Sequence, residues 1–466
     1  MSETFNPSFC TVEVANVTSV DGRTESLSAM IYGFNIVQSL NAATLQGTIR
    51  IYDSVGLLHN FPLRAEEKLD LQILGHDLQT NISIKGQIVK IDNVSKNPAG
   101  DGYFYTLHFI TRTAFEAGKG NVITAFRNKT GSYAAQKIFK KYYNQNKELE
   151  PASQGGELPK GSAKYAITFD KGRRFYIEES KGQLRAVIPD YTPAQAMNFL
   201  ASKSLANADS PSNMFRFFET YEGFHWVTDD WLLKRGKFNK NKIKELYYLN
   251  YSEQDPKYAD LISKTITSFE NSSHVDTGMD IESGAYRNVV MEVDFTNHTR
   301  KYYHFDYQDN KNKFVGMSGT PKVSNAGATH SDKFIADTFT NENAKQFVVF
   351  RDWQDEEMQS IDGQVPRTPQ KMVEIIQNRV AYTHHLNNAK VAISMQGRID
   401  LQPGDIVDII TQDPTIELPT EQNQRLSGRY LVSLVNHSME ENILSTTAEV
   451  IKYDWQKGDV WLMAQE

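Results

Sequence analysis

GRIDLQPGDIVDI, Gly397–Ile409, sets three aspartates, one arginine and a Pro-Gly pair within thirteen residues. Three readings compete: a catalytic acid cluster, a metal site, or a strand, a turn and a second strand. The apolar positions favour the last. Ile399 and Leu401 end one strand, Pro403-Gly404 suits the two central positions of a type II turn, and Ile406–Ile410 begins the next strand. Asp400, Asp405 and Asp408 are then carboxylates that flank the turn, facing water or capping it.

The same grammar extends outward. Lys390–Met395, Asp405–Thr411, Gly428–Asn436 and Leu444–Tyr453 read as strands, and Thr368-Pro369 opens a helix striped by Met372, Ile375, Ile376 and Val380. At the other end, Thr11–Val17, Leu27–Leu40, Leu45–Asp53, Lys68–Gly75, Ile82–Asn93 and Tyr103–Thr111 are β-branched or aromatic runs punctuated by Gly, Asn, Asp or Pro. Leu69, Leu71 and Ile73 alternate with Asp70 and Gln72, which gives one buried and one wet face. Six such strands suffice for a small barrel.

Between these ends the period changes. Ser132 is placed to cap a helix with Ala135, Ile138, Phe139, Tyr142 and Tyr143 on one face. Thr192-Pro193 with Gln195 is close to a capping box, with Ala196, Met197, Leu200 and Ala201 as the apolar face. Met214–Leu232 reads as a hairpin connected through Gly223. Leu249–Phe314 is mixed and tyrosine-rich, while Gln154–Lys164 and Gly316–Asp332 read as loops.

The two ends echo each other. EEKLDLQI (Glu66–Ile73) matches PGDIVDII (Pro403–Ile410) as a polar turn followed by an apolar strand. A Gly-led strand follows each, GQIVKIDNVS from Gly86 and GRYLVSLVNHS from Gly428. Each then meets a further strand, YFYTLHFITRT or ILSTTAEVIKYDW. β-Meanders in general look alike, which is the plain explanation. The sharper one is two related barrels in one chain, so that a trimer presents six similar units and can join a three-fold object to a six-fold one.

Composition narrows the function. The 466 residues allow about three domains. With 39% apolar and 23% charged residues a packed core is expected rather than disorder. A net charge of −7 argues against a dedicated nucleic-acid binder. Cys10 is the single cysteine, so neither an intrachain disulfide nor a cysteine-based zinc site is possible. Met1–Cys10 has the features of no signal peptide, and no apolar run approaches the roughly 20 residues of a spanning helix. A chain folding in a reducing cytoplasm without a membrane anchor is expected. The sequons Asn16-Val17-Thr18 and Asn436-His437-Ser438 then carry no glycosylation signal.

Catalytic motifs are missing. There is no G-x-S-x-G elbow and no H-E-x-x-H, and Glu116–Asn121 lacks the spacing and hydroxyl of a phosphate loop. His384-His385 point about 100° apart on a helix and cannot grip one ion together. Tyr302, His304 and Asp306 alternate with Tyr303, Phe305 and Tyr307 within His298–Asn310, which is strand spacing. Asp306 and Asp309 lack calcium-loop spacing. Asp229-Asp230 offers one carboxylate of a glycosidase pair with no partner singled out. Lys234–Lys244 holds six basic residues and no acid, as a phosphate-binding candidate, a docking surface for an acidic protein or a solvated loop. No catalytic, cofactor-binding or metal-ligating residue is assigned.

The order of parts resembles the central baseplate hub protein of contractile-tailed bacteriophages. At the N-terminal end the likeness lies in LQGTIRIYDSVGLLHNFPLRAEEKLDLQI (Leu45–Ile73), a strand ending in Tyr-Asp-Ser before a polar turn. At the C-terminal end it lies in the helix from Thr368, the Leu401, Pro403, Gly404 turn and SGRYLVSLVNHSMEENILSTTAEV. The hairpin FRFFETYEGFHWV has a counterpart as well, whereas 154–332 looks longer than in the familiar hubs. The resemblance implies a β-rich α+β fold: two tail-tube-like antiparallel β-barrel domains, 1–115 and 371–466 with its leading helix, and between them a mixed α/β insert, 116–370, whose hairpin 214–232 is a candidate for the second barrel. It implies a non-enzymatic structural virion protein, a homotrimer that joins the hexameric tail tube or its initiator to the trimeric central spike among other baseplate (wedge) proteins. DNA would cross its channel only in transit during ejection into the host. Such a protein is assembled in the bacterial cytoplasm and resides in the tail baseplate. The rivals are a tail-associated polysaccharide or peptidoglycan hydrolase and a peripheral receptor-binding or distal tail protein.

Overall fold

The alternation read in Leu69–Ile73 recurs along most of the chain, and it builds sheets. In the computed structural model the structure describes residues 9–61, 63–75, 81–98, 100, 102–144, 150–151, 165–169, 173–182, 184–206, 210–238, 244–248, 264–273, 277–295, 297–314, 345–350, 369–387, 389–411 and 426–453. The loops expected at Gln154–Lys164 and Gly316–Asp332 lie outside the described residues, as do 249–263, 274–276 and 296 within Leu249–Phe314.

The first part contributes β1 (Thr11–Thr18), β2 (Thr24–Ser26), β3 (Ile31–Ser39), β4 (Gln46–Asp53), β5 (Lys68–Leu74), β6 (Asn81–Lys96) and β7 (Tyr103–Thr111). The middle contributes β8 (Val122–Lys129), β9 (Glu150–Pro151), β10 (Tyr165–Phe169), β11 (Arg173–Ile177), β12 (Leu184–Tyr191), β13 (Phe215–Thr220) and β14 (Gly223–Thr228). It continues with β15 (Lys244–Tyr248), β16 (Ile266–Ser273), β17 (Arg287–Asp294), β18 (Thr299–Asp306) and β19 (Lys345–Phe350). Last come β20 (Lys390–Gln396), β21 (Ile406–Thr411), β22 (Gly428–Glu440) and β23 (Ile443–Lys452).

Thirteen strands form one sheet. Its hydrogen-bonded neighbours run β16-β20-β23-β22-β3-β4-β7-β6-β5-β1-β2, with β21 and then β15 attached beside β22. Two stretches of this sheet share one plan. β3 to β7 pair as β5·β6, β6·β7, β7·β4 and β4·β3, all antiparallel. β16, β20, β21, β22 and β23, in the same chain order, pair as β21·β22, β22·β23, β23·β20 and β20·β16, again all antiparallel. The irregularities coincide too. Register shifts fall between Ile31 and Gly33 and between Ile266 and Ser268. They fall again between Ile88 and Lys90 and between Val432 and Leu434. A bulge places one extra residue at a defined point of a ladder, so matched bulges fix the equivalence residue by residue.

By that register Phe34, Ile49 and Leu107 correspond to Phe269, Ile393 and Ala448. Gly86 corresponds to Tyr430, two residues beyond the Gly428 that the sequence echo suggests. The likeness stops at the flank, where β1 joins β5 antiparallel but β15 joins β21 parallel. Among the described residues these ladders close neither run into a barrel. A bond from Leu27 N to Ala15 O (2.7 Å) and a bridge between Tyr247 and Thr265 bring the flanking strand of each run to the base of its β3 or β16.

Two strands of the expected middle region, β15 and β16, thus lie in the large sheet. The hairpin β13–β14 does not. It pairs inside a five-stranded sheet, β13-β14-β11-β10-β9, because β14 spends its second edge on a parallel ladder with β11. Its side chains are buried on both faces, as fits a covered strand. Phe139, which opens the π-helical turn Phe139–Tyr143 after the helix Gly131–Ile138, stacks on Phe175 at 3.9 Å between centroids, which seals this sheet's core.

Local signals held in part. The turn forms as read: Asp405 N donates to Gln402 O (3.2 Å) and Gly404 has φ +89°, the left-handed value a type II turn requires. Thr192 and Gln195 complete a reciprocal capping box. Ser132 does not cap its helix. Thr130 does, accepting from Tyr133 N at 3.2 Å, while Ser132 is buried against Ser180.

Candidate functional site: the polar face of the large sheet

From β16 through β20, β23, β22, β3, β4 and β7 to β6, apolar side chains point to one face. Phe34, Ile36, Ile49, Ile51, Leu107 and Phe109 are buried in the first core; Ile393, Val432, Ala448 and Val450 are buried in the second. The positions between them carry the opposite character. β4 presents Thr48 and Arg50, β7 Thr106 and His108, β22 Asn436 and Ser438, β23 Ser445, Thr447 and Glu449. This face is hydroxyl-rich and carries charges of both signs: Arg50, Lys90 and Lys390 against Asp92, Glu440 and Glu449. Lys90 bonds Asp92, and this side-chain bond holds the exposed Asp92 carboxyl below its ordinary value. Lys390 lies 3.8 Å from Glu449.

The two runs meet where β3 and β22 pair antiparallel, from Leu434 opposite Ser39 to Glu440 opposite Gly33. Arg50 crosses this joint. Its Nη1 donates to Glu440 Oε1 at 3.0 Å and its Nη2 to Met439 O at 3.4 Å. The guanidinium lies over Gly33, where any Cβ would sit 2.5 Å from Nη2. The absence of a side chain there is what lets the arginine reach the other run. Sequence reading missed this face. Its signal is present in ILSTTAEV, where Ser445, Thr447 and Glu449 alternate with buried Leu444, Thr446 and Ala448.

Residues weighed for chemistry turn out to be internally engaged. Asp229, fully buried, takes two bonds from Arg216, Nε to Oδ1 at 2.5 Å and Nη2 to Oδ2 at 2.8 Å. Asp230 accepts from Ser212 N at 3.0 Å and from the Ser212 hydroxyl. Burial pushes its carboxyl up to about 7. Glu178 accepts from Thr228 N and Oγ1, both at 2.7 Å, at the start of the helix Asp229–Phe238. Glu219 takes Arg173 at 2.6 Å, Thr111 at 2.8 Å and Leu45 N at 3.0 Å, tying the five-stranded sheet to the first run. These are contacts of packing.

The turn aspartates are likewise spoken for. Lys244 Nζ lies 2.7 Å from Asp405 Oδ2 and 3.4 Å from Asp400 Oδ2, and Arg398 Nε donates to Asp400 Oδ1 at 2.8 Å. Burial raises Asp405; for Asp400 burial is outweighed by Lys244 and Arg398, which hold it low. The basic run therefore ends in a structural ion pair, while its residues 239–243 lie outside the described residues. His384 pairs with Asp280 at 3.3 Å. Among the described residues no three potential ligands gather for a metal. Tyr302, Tyr303, His304 and Phe305 line a cavity of about 360 Å³ with Val373 and Gln377.

No protein-family model matches the sequence, and no curated protein matches it. Solved structures do. The tail protein from Neisseria meningitidis MC58 is similar over 96% of this chain and 98% of its own, with TM-score 0.52 and 10% identity. The 43 kDa tail protein of prophage MuSo2 from Shewanella oneidensis is similar over 95% and 99%, with TM-score 0.49 and 9% identity. Prophage tail protein gp18 from Listeria monocytogenes covers 97% and 98% at TM-score 0.42 and 8% identity. The likeness to the Neisseria protein runs along nearly the whole of both chains, and at such identity it is one of architecture: this chain has the fold of that tail protein.

Proposed function

We propose that this chain is a structural protein of a phage tail baseplate, the trimeric hub that joins the six-fold tail tube to a three-fold central spike. The observation that carries this reading is the doubled strand plan, two runs with matched bulges set side by side through β3 and β22. Three copies would place six such runs around an axis. A chain with one run per copy would need six copies to do the same. The continuous face of hydroxyl, amide and balanced charge would line the bore. Such a surface wets the channel without holding the phosphates of DNA passing through it. The partners of this hub are the tube or its initiator above, the spike below and the surrounding baseplate proteins.

The test is the mass and shape of the purified full chain. Light scattering should give three times 53.0 kDa, and electron micrographs should show rings with an open centre. A stable monomer at micromolar concentration would overturn the hub reading. Localisation of labelled chain to the periphery of the particle would favour a receptor-binding role in its place.

A further inference from the structure

The internal joint between the two runs uses only half of what the doubled plan provides. In the second run β22 is shared between two partners. Its first part, Gly428–Leu431, pairs with β21, and its later part, Leu434–Glu440, takes β3. In the first run β6 is divided in the same way. Asn81–Gln87 pairs with β5, but Lys90–Lys96 has β7 on one side and, among the described residues, no strand on the other. At the far end of the sheet β16, the counterpart of β3, pairs with β20 on one side and, among the described residues, has no strand along its other edge from Ser268 onward. Among the described residues these two runs leave one acceptor edge and one donor edge, the equivalents of the two edges already joined inside the chain.

Side chains agree with the backbone. Phe34, at the internal joint, is 1% exposed beneath Met439, the residue opposite it. Phe269 holds the same register position in β16 and is only partly buried against the second core. Tyr248 stacks on it at 5.5 Å between centroids, but among the described residues no strand lies opposite it as β22 lies opposite Phe34. Beside the acceptor edge Val94 is 53% exposed. An exposed strand edge carries unpaired amides and carbonyls and invites another strand.

Resting on the trimer reading, we propose that neighbouring copies join by pairing β16 of one antiparallel with Lys90–Lys96 of the next, repeating the β3·β22 joint between chains. The register follows from the bulges. Asn35 faces Ser438 inside the chain. Asn35 corresponds to Glu270, both lying one residue beyond the matched phenylalanine. Ser438 lies opposite Ser445, and its counterpart Ser95 lies opposite Phe104. Glu270 therefore faces Ser95 of the next copy, and Phe269 faces Lys96. Two departures occur. A second register shift between Asp92 and Ser95, where Asn93 has φ +54°, adds a residue to the acceptor strand, and another between Asn271 and Ser273 interrupts the donor strand beyond Glu270; both leave the Glu270–Ser95 end in register. Each copy donates one edge and accepts one, so the joint is head-to-tail, and in a trimer it closes as a ring of three.

Within one chain the two edges do not pair among the described residues; seven strand steps, about 34 Å measured along the sheet, lie between β16 and β6. The test is a cross-link that joins chains. Full-length chain carrying Glu270→Cys and Ser95→Cys is treated with a short bismaleimide, with each single variant as control; native Cys10 is buried. Joined chains up to the covalent trimer are expected from the double variant, and no joined chains from either single variant. A second double variant, Glu270→Cys with Lys85→Cys, places the acceptor thiol on the part of β6 already paired with β5 and should give no joined chains. If light scattering shows the trimer and the first pair does not link, the edge pairing is wrong while the hub reading stands. If the unmodified chain is a monomer, both fall.

Discussion

Arg216 and Asp229 form a two-bond ion pair at the root of the hairpin, and the same guanidinium reaches Asn41 Oδ1 at 2.6 Å in the segment after β3. One side chain thus pins the five-stranded sheet to the first run. Arg216→Met leaves the Asp229 charge buried without a partner, and the expected loss of stability is about 3–5 kcal/mol. Arg216→Met with Asp229→Leu removes both charges and should recover much of that loss. Urea unfolding of the three proteins measures it. Equal midpoints for the single and double variants would show that the pair is not the source.

Two buried groups give opposite pH dependence in overlapping windows. His437 is fully buried, with Nε2 3.2 Å from Leu401 O and Nδ1 3.0 Å from Thr446 Oγ1. Burial lowers it to about 4 from an ordinary 6.5. The unfolded chain then binds the extra proton first, so its contribution to stability is full above about 6.5 and is lost as pH falls towards 4, by about 3 kcal/mol in all. Asp230, raised to about 7 from 3.8, works the other way. Its folded form binds the extra proton, so stability falls as pH rises between those values.

Asp230→Asn keeps an acceptor for Ser212 and should remove the falling component, leaving stability that rises more steeply from pH 4 to 6.5. His437→Gln should remove the rising one. Thermal midpoints across pH 4 to 8 for the parent and both variants read the two slopes separately. Parallel profiles for parent and Asp230→Asn would sink this assignment.

How much of this was legible in the sequence varies with the range of the interaction. The Gln402–Asp405 turn and the Thr192–Gln195 capping box depend on residues within one turn of each other, and both were read correctly. The doubled strand order was visible as an echo, but its register was not. Gly86 and Gly428 look alike as letters, while the bulges at Ile88 and Val432 set the true match two residues away. β15 and β16 were not recognised as parts of the second run, because more than 100 residues of sequence separate β16 from its partner β20. The polar face needed both runs to be assembled before it existed. Its members are ordinary Ser, Thr and Asn residues whose meaning lies in the strand beside them.

The matched phenylalanines offer a direct comparison. Phe34→Ala empties a filled site under β22, and the expected cost is about 3–5 kcal/mol. Phe269→Ala removes a side chain that is only partly buried in the single chain, against the second core and Tyr248, so the dilute monomer should lose less. At concentrations where copies associate, the order should narrow, since the joint would bury Phe269 as it buries Phe34. Denaturation midpoints at two protein concentrations test this. Equal losses for both variants in the dilute chain would mean that Phe269 is covered by something other than a neighbouring copy.

The turn that opened the sequence reading makes the last prediction. Gly404 sits at φ +89°, and a Cβ built there would approach Leu232 Cδ2 to 3.1 Å. Two costs then separate. Left-handed backbone penalises an L-residue by about 1–2 kcal/mol, with Asn tolerating it better than Ala. Crowding against Leu232 begins at the Cβ, which both share, and grows with the larger side chain of Asn. Gly404→Ala should therefore lower stability by about 1–3 kcal/mol, the upper end including what crowding adds. Gly404→Asn should lose less if backbone strain dominates. If instead Asn is the worse of the two, the limit is space beside Leu232. In that case Gly404→Ala combined with Leu232→Ala should lose less stability than the sum of the two single changes.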